Sequence, residues 1–449
     1  MSEPRLVTLA KQRDALKAHI AALQLQLADA QRALRRNEIE TASFAPVYVL
    51  PDDVLKMILE EAYEHDFDGE TQSCATPGRD PLPATHVCRR WRATALSLPT
   101  LWRCIHVHGS RPLLQLWATR SGLMPLKVTC QFGWKEKRLG RTRDMYRTRV
   151  QDLVELGQRW QHFHLEVDST QSLFDITTSI DRDSLQSLSL RYLGGDDEDE
   201  FMDAHLPSFP NLKSLSIANI PPSSISLPQP SLAFLRLSWC GYMFSEALRS
   251  ISQAAPSLAE LTIESAGRST DEPFDRVTFP RIRKMTFCSV FLYQEFFKLF
   301  DMPALRSLVV RDTNLVDMGY SSLYDVSEAA RFLRNVTHLT MQRCKVPSRS
   351  PYHKELFRYS PSVATLSLCD TANADVILRD LAEGDAQLLP RLQALELTAS
   401  HEPPDSVRNL LPMLSQFLET RRRAGGTLKT IKLGRGLEGD MRRGFSSAI

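Results

Sequence analysis

The stretch Pro256-Ser-Leu258-Ala-Glu-Leu261-Thr-Ile263 decides the fold of this chain, because its spacing recurs from about residue 160 onward. Leu261 and Ile263 are two residues apart and therefore share one face of a β-strand, while Leu258 anchors the entry to that strand. A proline two residues before the anchor ends the preceding segment and presets extended backbone. The stretch predicts a short strand with one apolar face.

The same apolar triplet, spaced i, i+3 and i+5, recurs with aliphatic or aromatic substitutions. It is found at Trp160/Phe163/Leu165, Leu185/Leu188/Leu190, Leu212/Leu215/Ile217, Leu232/Leu235/Leu237, Leu258/Leu261/Ile263, Ile282/Met285/Phe287, Leu305/Leu308/Val310, Val336/Leu339/Met341, Val363/Leu366/Leu368, Leu392/Leu395/Leu397 and Leu428/Ile431/Leu433. The proline recurs at Pro210, Pro230, Pro256, Pro280, Pro303, Pro361 and Pro390. Most steps between anchors fall within about 20 to 29 residues, the period of leucine-rich repeats.

Helical patterns lie between the predicted strands. They are Ala247-Leu248…Ile251…Ala255, Phe296-Phe297…Phe300, Ala329…Phe332-Leu333 and Leu410-Leu411…Leu414…Leu418. Stacked strand–helix units bury a continuous core that no single repeat could close. The sequence therefore predicts an α/β solenoid, a leucine-rich-repeat horseshoe, over residues 155–449.

The strand residues between the inward positions are expected to form the concave sheet surface, which is the usual recognition face of a solenoid. Small residues alternate there with charges of both signs, which favours a protein target over a polyanion. Ordinary solvated sheet surface is the competing interpretation for each residue. The target-binding candidates are Arg236, Glu260, Glu264, Lys284, Arg311, Gln342 and Glu396.

Two short helices are predicted further upstream, in Leu50-Pro-Asp-Asp-Val-Leu-Lys-Met-Ile-Leu-Glu-Glu-Ala62 and around Val87-Cys88-Arg-Arg-Trp91. Pro51 suits a helix start, and the acids after it complement the helix dipole. Each segment has one apolar face, and a unit this small is marginal alone. Part of that apolar surface is expected to meet a partner, or else to pack on the rest of the chain.

The order LP…VCxxW…LW from Leu50 to Trp102 resembles the F-box, a module that docks on a SKP-family adaptor within a cullin–RING ubiquitin ligase. The resemblance implies an adaptor-binding face, with its support, made by Leu50, Pro51, Val54, Leu55, Ile58, Val87, Cys88, Trp91, Leu101 and Trp102. The connection over residues 66–83 is longer and more polar than is usual in an F-box.

F-boxes followed by divergent leucine-rich domains are frequent in mushroom-forming fungi, and the whole chain resembles that pairing. The resemblance implies a substrate-recognition subunit of an SCF-type ubiquitin ligase, with a protein target on the repeats. The alternative is a leucine-rich scaffold or inhibitor that recruits no ligase, with the F-box-like helices capping the solenoid. The expected organisation is an N-terminal helix (1–45), a small all-α F-box-like domain (46–108), a helical linker (109–154) and the solenoid (155–449).

A long helix is predicted over roughly residues 6–40. Leu9, Leu16, Leu23 and Ala30 repeat every seven residues, interleaved with Leu6, Arg13, Ile20, Leu27 and Leu34, which is the a/d pattern of a coiled coil. The flanking positions offer no complementary charge pairs. Packing back onto its own chain is therefore slightly favoured, and self-association stays open.

Composition excludes several functions. The chain has 449 residues and a formal net charge of +2, so no global field favours nucleic acid or an anionic membrane. Eight cysteines without a CxxC pair predict a reduced protein of the cytoplasm, the nucleus or both. The sequence contains no run of about 18 apolar residues, so no membrane span is predicted.

No cluster of serine, cysteine or carboxylate groups predicts a catalytic centre, so no enzyme activity and no cofactor are expected. His162 and His164 flank Phe163 without a third ligand; they are interpreted as surface histidines rather than a metal site. The basic run over 135–149 is interpreted as an exposed linker helix, with phosphate contact or a nuclear address as the alternative.

Overall fold

The chain forms two compact units, Met1–Trp102 and Arg103–Ile449, which are described separately. The structure is a computed structural model. It describes residues 3–43, 50–64, 81–107, 111–131, 159–167, 173, 176–178, 180–194, 206–221, 228–238, 245–265, 276–289, 299–313, 326–346, 352–383, 388–398, 404–423 and 428–434. The basic run 135–149 and most of the 66–83 connection lie outside these residues.

The first unit is helical. Its elements are α1 (Glu3–Ser43), α2 (Asp52–Glu64), α3 (Leu82–Val87), α4 (Arg89–Ser97) and a 3-10 turn (Pro99–Trp102). Asp52 and Asp53 occupy the first turn of α2, as predicted, where they complement the helix dipole.

The predicted N-terminal helix is confirmed as α1, but the favoured packing of that helix onto its own chain is wrong. Of the side chains from residue 11 to residue 37, all are exposed except Ala28, which is half-buried. The seam leucines at 16, 23, 27 and 34 lie in solvent in this structure.

The second unit is an α/β fold built on one 13-stranded parallel sheet, in the order β1-β2-β3-β4-β5-β6-β7-β9-β11-β12-β13-β14-β15. The strands are β1 (Cys104–His106), β2 (Leu126–Gln131), β3 (Trp160–Val167), β4 (Ser187–Tyr192), β5 (Ser214–Ala218), β6 (Phe234–Ser238), β7 (Glu260–Glu264), β8 (Val277–Thr278), β9 (Lys284–Cys288), β10 (Phe300–Asp301), β11 (Ser307–Arg311), β12 (His338–Gln342), β13 (Thr365–Cys369), β14 (Ala394–Thr398) and β15 (Thr430–Leu433). The short strands β8 and β10 pair separately.

Helices alternate with many of these strands, as parallel pairing requires a crossover between neighbours. They are α5 (Arg111–Arg120), α6 (Ser245–Ala254), α7 (Val326–Leu333), α8 (Tyr352–Arg358), α9 (Ala374–Glu383) and α10 (Pro404–Arg423). Three of the predicted helical patterns are confirmed as α6, α7 and α10. Phe300, assigned to a fourth helix, lies instead in β10 and pairs with Val277.

The apolar triplets build the core of the second unit. The second and third residues of each predicted triplet fall on a strand, in register with their neighbours, as in the pairing of Leu261 with Met285. The triplet side chains from Trp160 to Leu397 are all buried. Those of Ile431 and Leu433 are half-buried, because β15 is the last strand of the sheet.

The recurring prolines sit in tight turns rather than in extended backbone. The anchor N–H donates to the carbonyl three residues earlier, as Leu258 does to Ala255 at 3.1 Å and Leu305 does to Met302 at 3.0 Å. Proline is therefore the second residue of the turn, where its fixed φ is favoured. The sequence prediction located the strand entry correctly and misjudged its backbone.

A left-handed residue ends many of the strands, seven positions after the anchor. These residues are Asn219, Ser265, Ser289, Asp312, Arg343 and Asp370, with φ between 48° and 55°. Each donates its N–H to the last residue of the next strand, as Ser265 does to Cys288 at 2.9 Å. The turn satisfies a backbone donor that would otherwise be left at the sheet edge.

The sheet begins earlier than the repeat pattern predicted. Strand β1 lies in the segment assigned to the F-box-like domain, and β2 lies in the segment 109–154 assigned to a helical linker. Both pair in parallel with the rest of the sheet. The unit boundary therefore falls at Trp102 rather than at residue 108.

Candidate protein-binding surfaces

Helix α2 has apolar side chains on two sides. Leu55 and Leu59 are buried, whereas Met57 is 67% exposed and Ile58 is 42% exposed. Val54 lies between these extremes and is half-buried. The buried side fills the core of the helical unit, so Met57 and Ile58 are available to another surface.

A second exposed apolar position lies at the end of α3. Val87 is 57% exposed, and Leu96 of α4 is also exposed. Cys88, between the two helices, is half-buried, and its thiol accepts a hydrogen bond from the Trp91 backbone N–H at 3.5 Å. That contact caps the start of α4. Three of the residues predicted from the resemblance thus lie on two consecutive helices and the residue that joins them: Val87, Cys88 and Trp91.

Trp91 of α4 is half-buried. Its indole N–H is shielded from solvent and has no hydrogen-bond partner among the described residues. A shielded donor without an acceptor is energetically unfavourable.

Three of the predicted adaptor-binding residues belong to the core instead of the surface. Leu55, Leu101 and Trp102 are buried. The Trp102 indole N–H donates to the Ala95 carbonyl at 2.9 Å, which ties the 3-10 turn to α4. These side chains support the helices, and they are not available to a partner in this conformation.

A polar clasp holds the start of α2 against α4. The Arg90 guanidinium donates to Asp52 Oδ1 at 2.8 Å from Nε and at 2.6 Å from Nη2, and also to the Leu50 carbonyl. Leu50 is half-buried and Pro51 is exposed. The clasp fixes the position of these two predicted contact residues. Sequence reasoning missed Arg90, although its place beside Trp91 and the acid at Asp52 were visible.

The second candidate surface is the open face of the sheet, opposite the buried triplets. Residues that are paired across neighbouring strands form rows on this face. One such row consists of Ser238, Glu264 and Cys288. All the predicted target-binding residues lie on this face and are half-buried: Arg236, Glu260, Glu264, Lys284, Arg311, Gln342 and Glu396.

Neighbouring charges on the open face are paired with each other. Arg236 contacts Glu264 at 2.5 Å, and Lys284 contacts Glu260 at 3.3 Å. Arg311 donates to the Gln342 side-chain oxygen at 2.8 Å. Glu396 contacts Lys432 at 2.7 Å, although Lys432 was not among the predicted residues. The face therefore presents a nearly neutral, hydrogen-bonded polar surface.

The thiol of Cys288 lies near two carboxylates, those of Glu264 and Asp312. Cys288 Sγ lies 3.9 Å from Glu264 and 3.5 Å from Asp312. Burial, followed by the two carboxylates, raises the pKa of Cys288 to about 12. Asp312 in turn accepts hydrogen bonds from Arg343 at 2.5 and 2.6 Å, and those bonds are the main cause of its lowered pKa. Cys288 is therefore a protonated donor at neutral pH.

The prediction that His162 and His164 are surface histidines is wrong for His164. That residue is buried, and its Nδ1 lies 2.9 Å from Ser189 Oγ. His162 is half-buried, and burial, with Lys127 and Arg103, lowers its pKa to about 4. Within the described ranges, no group of three His, Cys, Asp or Glu side chains is arranged to hold a metal ion.

Among the helices that the structure describes, none combines the length and the apolar character needed to cross a bilayer.

Comparison with known proteins assigns no family to the chain. Models of known protein families give no match, and curated proteins give no match either.

Proposed function

We propose that this chain is a substrate-recognition subunit of an SCF-type, cullin–RING ubiquitin ligase. Residues 50–102 would dock a SKP-family adaptor, and the open face of the sheet would hold a protein target. We further interpret the sheet and its helices as a leucine-rich-repeat solenoid. The regular strand order and the recurring turns support that interpretation.

The observation that carries the proposal is the exposure of Ile58 and Val87. Both are contact positions in the F-box resemblance, and both lie on helices that also carry buried side chains, such as Leu59 on α2 and Ala84 on α3. Single exposed apolar residues are ordinary on protein surfaces. Here the adjacent Met57 is exposed as well. Together Met57, Ile58 and Val87 suit a partner with an apolar surface.

The chain itself would supply binding and no chemistry. A target held by the sheet would stay at high effective concentration near the ubiquitin-loaded enzyme recruited through the adaptor. The open face suits this role because paired charges of both signs recognise a polar protein surface without attracting polyanions.

Co-purification of a SKP-family adaptor tests the proposal. Wild-type protein should recover the adaptor, and Val87→Asp or Ile58→Asp should lose it, because each places a charge on the docking surface. Leu123→Asp is the matched control, since Leu123 is 94% exposed and lies in the other unit. It should recover the adaptor as well as wild type does. Thermal melting should show all three variants folded.

Failure of the wild-type protein to recover any adaptor would contradict the ligase role. The alternative, a protein-binding scaffold or inhibitor, would then be the better account. A second purification after proteasome inhibition identifies the target class. Proteins that are enriched with wild type and lost with Arg236→Ala would be assigned to the open face.

A further inference from the structure

The exposed seam of α1 is not used by the proposed function. Leu16, Ile20, Leu23, Leu27 and Leu34 are each between 50% and 62% exposed. Together with Ala30 they are spaced alternately four and three residues apart, which places them on one heptad stripe. Within the residues that the structure describes, nothing covers this stripe. We propose that α1 pairs with α1 of a second copy of this chain, as an antiparallel two-stranded coiled coil.

The stripe is complementary to itself when reversed. A two-fold axis between Ala21 and Ala22 sets Leu16 against the partner copy's Leu27, and Ile20 against the partner copy's Leu23. In an antiparallel pair, a positions face d positions in this way. The same surface on both copies then makes a closed interface, as two-fold dimers require. This self-complementarity argues for a second copy over an unrelated partner.

Arg13 selects the antiparallel orientation. It occupies an a position in an otherwise aliphatic and alanine stripe. In a parallel pair in register, the two Arg13 side chains would face each other, and their like charges would repel. In the reversed register Arg13 faces the partner copy's Ala30, the smallest residue of the stripe. The largest side chain therefore meets the most space, and the repulsion is removed.

The residues flanking the stripe are compatible with the reversed pairing. Lys17 would lie beside the partner copy's Gln24, and His19 beside the partner copy's Gln26. No like charges meet at these positions. Two charged pairs lie within each helix, Arg13 with Asp14 and Arg32 with Asp29. The lack of flanking charge pairs, which argued for packing onto the same chain, does not oppose an antiparallel dimer. Opposed helix dipoles favour it.

Light scattering of the full chain tests the pairing. Wild type should have twice the mass of one chain. Leu23→Lys should have the mass of one chain, because it buries a charge in the centre of the stripe. Leu25→Lys is the control: Leu25 is 67% exposed and lies on the opposite side of the helix from the stripe. It should remain a dimer. A monomeric wild type, or equal behaviour of the two variants, would overturn the proposal.

Cysteine mixing tests the orientation. Leu16→Cys and Leu27→Cys proteins are oxidised separately and as an equimolar mixture, and the linked peptides are identified by mass spectrometry. The antiparallel register predicts a disulfide between positions 16 and 27 in the mixture and no bond between like positions. Bonds joining 16 to 16 or 27 to 27 would overturn the antiparallel pairing. The readout does not involve the ligase adaptor, so it is independent of the proposed function.

Discussion

The Arg236 guanidinium on β6 forms an ion pair with the Glu264 carboxylate on β7, across two neighbouring strands of the open face. Glu264 Oε2 accepts hydrogen bonds from Arg236 Nε at 3.0 Å, from Arg236 Nη2 at 2.5 Å and from Ser238 Oγ at 2.8 Å. Both side chains of the pair are mostly buried. The pair joins neighbouring strands, and it would give a target a prearranged polar surface.

We predict that this pair stabilises the sheet measurably. In a double-mutant cycle with Arg236→Ala and Glu264→Ala, the coupling should be about 1 to 2 kcal/mol in urea unfolding, because the pair is shielded and has two hydrogen bonds. The Lys432–Glu396 pair is the control, since its lysine is 69% exposed. Its coupling should not exceed about 0.5 kcal/mol. Equal couplings would show that burial does not strengthen the Arg236 pair.

Alanine variants of Leu55 and Val87 should distinguish a residue that stabilises the helical unit from a residue that binds the adaptor. Leu55→Ala should lower the free energy of unfolding of the helical unit by about 2 to 5 kcal/mol, because it leaves a cavity. Val87→Ala should change stability by less than about 0.5 kcal/mol, because its side chain is largely in solvent. Adaptor recovery from a lysate should nevertheless fall with Val87→Ala at a temperature where the variant is fully folded. Loss of stability with Val87→Ala would place this residue in the core.

The left-handed residues at the strand ends should respond differently to glycine. Ser265 has φ of 48°, so Ser265→Gly should raise the free energy of unfolding by about 0.5 to 1 kcal/mol through relief of strain. Asn219 has a similar φ, but its side-chain amide donates to the Tyr192 carbonyl at 2.9 Å. Asn219→Gly should therefore be neutral or destabilising. Urea unfolding of both variants provides the test.

Stability should fall in mild acid because of His162. Its folded pKa of about 4 lies below the ordinary value of 6.5, so below pH 6.5 the unfolded chain binds more protons than the folded chain. The contribution of the neutral His162 to the free energy of unfolding is fully present above pH 6.5 and is lost as the pH falls toward 4. Because the His162 ring is only partly buried, solvent screens this effect, and the loss at pH 5 should be at most about 2 kcal/mol.

His162→Gln is the matched variant for this effect, because glutamine does not titrate. Its unfolding free energy should change less between pH 7 and pH 5 than that of wild type. Identical pH dependence of the two proteins would assign the acid sensitivity to other groups, such as the buried His353 beside Asp380.

The strand positions could be predicted because the apolar triplet and the proline are local signals. Leu261 and Ile263 must share a strand face, whatever the rest of the chain does. Strands β1 and β2 were missed although Trp102/Ile105/Val107 and Leu123/Leu126/Val128 have the triplet spacing. Their segments had been assigned to the F-box-like domain and to a helical linker. The residue with φ near 50° at each strand end was not anticipated either. Asn219 and Asp312 are types that tolerate this conformation, but Arg343 is not, so composition gives no consistent signal.

The candidate surfaces were predicted in part. The pattern identified Ile58, Val87 and the charged strand residues, but it could not separate Val87 from the buried Trp102, since both are apolar in a motif. Burial depends on which helices pack against each other, and the local sequence pattern does not specify that packing. The pairing of Arg236 with Glu264 likewise depends on strand register between residues 28 positions apart in the sequence.

The environment of Cys288 has a consequence for the chemistry of the open face. Oxidants and electrophiles attack thiolates, and a pKa of about 12 leaves about one thiolate per hundred thousand molecules at pH 7. Peroxide, maleimides and haloacetamides should therefore spare this position for as long as the sheet stays folded. Modification of Cys288 would then report local opening between β7 and β11, which makes this thiol a built-in probe of how rigidly the central strands are held.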